Sequence, residues 1–165
     1  MTVSHVVFII LSAVALIGAV GVVASRNLFR AALFLVLSFI GVAGFYILLE
    51  VGILGMIQLL VYVGAISILI IFAIMVSRRL MAPDYVARNE QWIGALAVAV
   101  ALFAVLAFIL VSVTWPTSSA DVPRELISLL GEGLVSPASF LLPFEVVSVL
   151  LLVALVGAVI IARER

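Results

Sequence analysis

Five apolar stretches, each long enough to cross a bilayer, decide what this chain can fold into. About 20 apolar residues span the hydrocarbon core. The stretches run from about Val3 to Ala24, Ala31 to Leu49, Ile53 to Val76, Trp92 to Trp115 and Pro143 to Ala162. The first four contain no Asp, Glu, Lys or Arg, and the fifth contains Glu145 alone. Hydrophobic residues make up 68% of the 165 and charged residues 10%, against roughly 25% charged in soluble domains. A soluble fold of this size has no interior large enough for that much apolar surface, so lipid must solvate it. The expected fold is all-α: one integral membrane domain over residues 1–165, with five transmembrane helices. The first stretch lacks a basic leader and exceeds the length of a signal-peptide core, so it reads as a permanent helix.

The connections are short with two exceptions. Ser25 to Arg30 forms a polar turn. The segment from Arg78 to Gln91 is polar and carries Pro83, so it belongs in solvent. The segment from Pro116 to Leu142 is longer, and within it Leu126, Ile127, Leu129, Leu130 and Leu134 recur at helical spacing. That spacing predicts a short amphipathic helix on the membrane surface, ended by Gly131 and Gly133; an irregular loop packed on a partner is the alternative. With five spans the chain ends lie on opposite sides. Arg26, Arg30, Arg78, Arg79, Arg88, Arg163 and Arg165 then share one side, and only Arg124 faces the other. The positive-inside rule places the N-terminus outside and the C-terminus in the cytoplasm, as expected of a multi-pass protein of the cell's inner (plasma) membrane.

Several chemistries are excluded by what the chain lacks. It has no Cys and a single His, His5. Disulfides, Cys-ligated zinc and iron–sulfur clusters are therefore ruled out, and no pair of haem ligands exists. No metal site and no catalytic residue set is expected. A net charge of zero gives no support to nucleic-acid binding. The second, third and fourth spans have no ionisable carboxylate or amine in their interiors. Charge at membrane depth is costly and usually marks an ion or proton path. This chain alone has no conventional proton relay, and must act with partners.

The third span is the least ordinary. Gln58 and Tyr62 are polar at depth, and their spacing of four puts them on one helical face. Both need partners, as polar groups between transmembrane helices do. Gly64 sits near mid-span, and β-branched Val61 and Val63 flank Tyr62. Glycine relaxes the backbone and admits another backbone at close range, so a π-bulge or kink is tolerated here. The plainer alternative is that Gly64, Ala65 and Ser67 form a close-packing surface. Glu145, just after Pro143, is placed in the first turn of the last span, where the helix dipole favours a carboxylate; the functional alternative is a carboxylate facing a cavity or a partner. Glu50, at the end of the second span, is explained by interfacial solvation. Gly41 and Gly44, Ala95 and Ala99, and Ala154 and Ala158 read as helix-packing positions.

The string Gly55-Met56-Ile57-Gln58-Leu59-Leu60-Val61-Tyr62-Val63-Gly64-Ala65-Ile66 resembles the third helix of the J-type (chain 6) membrane subunits of respiratory complex I. The string from Leu141-Leu142-Pro143-Phe144-Glu145 through Gly157-Ala158 resembles their fifth helix, and the first loop, the number of spans and the length also fit. The resemblance implies a subunit without redox centre in the membrane arm of a proton-translocating NADH:quinone oxidoreductase. No cofactor is expected on this chain; the complex is expected to use FMN, iron–sulfur clusters, NADH and quinone. The implied partners are the membrane subunits of H, A and K type, the antiporter-like N-type subunits, and lipid. In the family the third helix carries a π-bulge near a Tyr-x-Gly-Ala element, matched here by Tyr62, Gly64 and Ala65. Its rotation is associated with opening a water path from the quinone region to the pump modules. The resemblance thus makes Tyr62, Gly64, Gln58 and Ala65 the coupling residues, with Glu145 as a possible cavity or interface carboxylate. A subunit of a multi-subunit cation/proton antiporter, or of a ferredoxin- or hydrogenase-linked relative, is the alternative.

Overall fold

The computed structural model describes residues 3–77, 91–114 and 125–163. Every element among them is a helix: α1 (Val3–Ala24), α2 (Leu28–Leu48), α3 (Gly52–Val76), α4 (Trp92–Ser112), α5 (Leu126–Val135) and α6 (Leu141–Ala162). All but α5 are long and apolar enough to cross a membrane, as the hydropathy pattern predicts. The chain divides into two compact units, Met1–Asp121 and Val122–Arg165.

In the first unit α2 packs against both α1 and α3. The α1–α2 pair is antiparallel and held by small residues. Gly18 of α1 and Gly41 of α2 are buried, and a Cβ on either would stand within 3 Å of the other helix. The Phe8 and Phe45 rings meet at 5.5 Å near one end, and the Ser38 hydroxyl donates to the Ala15 carbonyl at 3.2 Å in the middle. Small residues let two backbones approach, and the approach brings that hydroxyl within reach of the other helix. At the start of α3, Gly55 is buried near Ala43 and Ile47 of α2. No residue of α4 is buried.

Helix ends depart from the hydropathy reading where capping chemistry intervenes. Helix α2 begins at Leu28, not Ala31, because the Asn27 side chain accepts from the backbone N–H groups of Phe29 at 2.9 Å and Arg30 at 3.3 Å. That is an N-cap, and it draws half of the expected polar turn into the helix. Helix α2 ends in a Schellman motif: the Glu50 N–H donates to the Ile47 carbonyl and the Val51 N–H to the Tyr46 carbonyl. Glu50 occupies the left-handed position with φ 62°, a place usually held by glycine. Helix α4 stops at Ser112, and Trp115, the expected end of the fourth stretch, lies outside the described residues.

The second unit holds α5 and α6. Helix α5 runs through Gly131 and Gly133 and ends at Val135, so the two glycines do not terminate it as expected. Pro137 follows, and a proline drives the residue before it out of helical conformation. Ser136 is accordingly extended, with φ −80° and ψ 126°. The turn to α6 is closed by the Phe140 N–H donating to the Gly133 carbonyl at 3.0 Å. The Arg-rich segment 78–90, Arg124 and Arg165 lie outside the described residues.

Candidate functional site

The site is a change of helical register inside α3. Residues Gly52–Ile57 and Ser67–Val76 are α-helical, and Gln58–Ile66 between them is π-helical. In a π turn each N–H reaches the carbonyl five residues back instead of four, which widens the turn. The sequence allows this without a proline or a positive φ: Gly64 is among glycines with ordinary helical φ. Apart from Gln58 and Tyr62 the segment is apolar, and it holds no Ser or Thr whose hydroxyl could bond a loosened carbonyl before Ser67.

Burial shows what the wide turns do. The buried residues of α3 are Gly55, Gln58 and Ser67. Gln58 is 7% exposed and Ser67 1%. Nine residues of regular α-helix are about two and a half turns, which would put Gln58 and Ser67 on opposite sides. The π turns absorb the excess and bring both into the protein. Tyr62 sits between them at the edge of the buried face, 42% exposed, with its ring edge-on to Phe39 of α2 at 5.4 Å. Gly64 is half-buried and Ala65 exposed.

The register closes on one atom. The Tyr62 carbonyl accepts from the backbone N–H of Ser67 and from the Ser67 hydroxyl, the latter at 2.7 Å. Among the described residues, no other helix stands against Gly64. A Cβ built on it would meet only the Leu59 carbonyl of its own helix, at 3.4 Å, an ordinary contact. The close backbone approach expected at Gly64 is therefore absent from this arrangement. Glu145 belongs to the other unit. Because α6 starts at Leu141, Glu145 falls past the first turn and is exposed; the favourable dipole position expected for it is lost, since that effect fades beyond the first turn. Spacing offered no route to Ser67: a hydroxyl reaching five residues back exists only once the turns have widened.

The model of the NADH-ubiquinone/plastoquinone oxidoreductase chain 6 family matches residues 18–161, which include all of α2, the π segment and nearly all of α6. The chain belongs to this family. It is 41% identical to the NAD(P)H-quinone oxidoreductase chain 6 of Leptolyngbya boryana, over 96% of this chain and 79% of that protein. It is 37% identical to the F(420)H(2) dehydrogenase subunit J of Methanosarcina mazei, over 95% of this chain and 89% of the relative. It is 40% identical to the chain 6 of a Nostoc species, over 89% of this chain and 73% of that one. The resemblance read from the third- and fifth-span strings is borne out, and the family decides against the antiporter alternative. As a chain 6 family member the protein is a multi-pass membrane subunit of a quinone oxidoreductase complex, with other subunits of that complex as its partners.

Proposed function

We propose that this chain couples quinone reduction to proton translocation by switching α3 between the π-containing form described above and a regular α form. The carrying observation is the nine-residue π segment Gln58–Ile66, set in mid-span of a helix with no titratable carboxylate or amine. Straightening it would turn the residues beyond it by roughly one residue's rotation, about 100°. Ser67 and the apolar row after it would leave the α2 side. A dry seam would then open or close without any proton passing through this chain's own groups. Tyr62, Gly64, Gln58 and Ala65 are the residues of the switch. Glu145 stays the candidate interface or cavity carboxylate and has no part in the switch itself.

The experiment is structural and functional together. The assembled complex is imaged with an occupied quinone site and during turnover, and the proton-to-electron ratio is measured alongside. The proposal requires α3 to be π-helical over Gln58–Ile66 in one state and regular in another. An identical hydrogen-bond pattern in every state, with normal pumping, overturns it.

The finer reading goes with this proposal. The chain acts as one membrane domain in the plasma membrane, with its N-terminus outside and C-terminus in the cytoplasm. Its neighbours are the H-, A- and K-type subunits and the antiporter-like subunits, and the complex carries FMN and iron–sulfur clusters and oxidises NADH. The relative named as an F(420)H(2) dehydrogenase subunit favours a second reading of the donor alone, in which another reduced carrier replaces NADH. The chain has no native cysteine, so single introduced cysteines report topology directly. Ala82→Cys is expected to label from the cytoplasm and Ser119→Cys from outside; the reverse pattern inverts the orientation.

A further inference from the structure

We propose that Ser67 is a positioning residue, whose hydroxyl clamps α3 in the π register by acting as second donor to the Tyr62 carbonyl. This deepens the proposed function and rests on it for its link to pumping, though not for the clamp itself.

Three other helix serines provide the comparison. Ser12 donates to the Phe8 carbonyl, Ser112 to Phe108 and Ser148 to Phe144, each four residues back in regular α-helix. Ser67 donates five residues back, at 2.7 Å. A serine in a helix bonds the carbonyl that its turn brings beneath it, so the partner of Ser67 reports the π turn. It also reinforces it. Ser67 is 1% exposed, so its hydroxyl has no water to turn to and is confined to carbonyls of its own helix: that of Tyr62 in the π form, and that of Val63, four residues back, once the helix is regular. In a low-dielectric setting the bond is stronger than at a surface. The same carbonyl already receives the Ser67 N–H, so both donors of one residue fix one register. Straightening α3 requires both to leave Tyr62 together and carries the serine off the face where it is buried.

The test uses the whole complex with Ser67→Ala, Ser67→Thr and Ser67→Val. Thr and Val have the same shape, so their difference isolates the hydroxyl from packing. The resting complex is imaged and the population of π and regular α3 is counted. Loss of the hydroxyl should shift that population toward the regular form by roughly two- to tenfold, the range of one hydrogen bond. Ser67→Thr should hold the π form, and Ser67→Val should lose it as Ser67→Ala does. A π segment equally populated in Ser67→Ala and the parent overturns the clamp, and so does identical behaviour of Ser67→Thr and Ser67→Val. If Ser67→Ala does not assemble, the Thr and Val pair decides alone. A shifted population with an unchanged proton-to-electron ratio upholds the clamp and defeats the coupling reading instead.

Discussion

A Cβ placed on Gly18 would stand 2.5 Å from the backbone nitrogen of Ser38. It would also lie 2.8 Å from the Ser38 Cα and 2.9 Å from the Phe34 carbonyl. These are backbone atoms, so no rotamer change relieves the contact. Gly18→Ala should force α1 and α2 apart at about 1–3 kcal/mol, the usual penalty of overpacking. It should also weaken the Ser38 to Ala15 hydrogen bond. Gly94→Ala is the control, because among the described residues nothing lies within 4 Å of a Cβ there. Thermal unfolding of the complex in detergent compares the two. Equal midpoints would mean that the pair is less tightly packed than described. Gly21→Ala should be milder than Gly18→Ala, since it meets the Phe34 ring, a side chain that can move.

Glu50 carries two local penalties. It occupies the left-handed position of the α2 cap, which costs a non-glycine residue roughly 1–2 kcal/mol. Its carboxylate also stands at a helix C-terminus, where the dipole opposes it. Glu50→Gly removes both and should raise the thermal midpoint of the chain, by an amount equivalent to roughly 1 kcal/mol. A lowered midpoint would show that the carboxylate makes a stabilising contact with a neighbouring subunit or headgroup.

How much was legible beforehand varies with the physics of each feature. The spans were readable because hydrocarbon imposes length and polarity directly on the sequence. The start of α2 was misplaced because the boundary was set by the charge of Arg30, whereas the Asn27 side chain caps the helix three residues earlier. The end of α5 was misplaced because Gly131 and Gly133 permit a helix end without enforcing one, whereas Pro137 enforces it. In the site, Gln58, Tyr62 and Gly64 stood out as polar or flexible residues at depth. Ser67 read only as a small packing residue. Its importance depends on a register that changes the faces of every residue after Gln58, and no fixed helical period contains that change.

Glu145→Gln tests the carboxylate of α6. Glu145 is exposed and lies past the first turn of α6, so its loss should alter stability by less than about 0.5 kcal/mol, as at most surface positions. Assembly, quinone reduction and pumping are expected to stay near normal. A large loss of pumping in a fully assembled complex would instead place this carboxylate in a cavity or against a charged partner.

Gly64 separates the switch from simple packing. In the π form nothing requires glycine there: its φ is ordinary and a Cβ would touch only the Leu59 carbonyl at 3.4 Å. Gly64→Ala should therefore preserve the π form, with up to about 1 kcal/mol gained from the better helix former. On the switching proposal, a need for glycine lies in the other form of α3 or with a subunit that approaches it. Gly64→Leu fills that space and should leave assembly intact while lowering the protons moved per electron. Tyr62→Phe should be milder, because the ring contact with Phe39 and the backbone carbonyl that Ser67 holds are both retained. The measurement is the proton-to-electron ratio in reconstituted vesicles, beside the quinone reductase rate. Normal pumping in Gly64→Leu, with α3 unchanged in every state, would make the segment a packing surface with a fixed π turn.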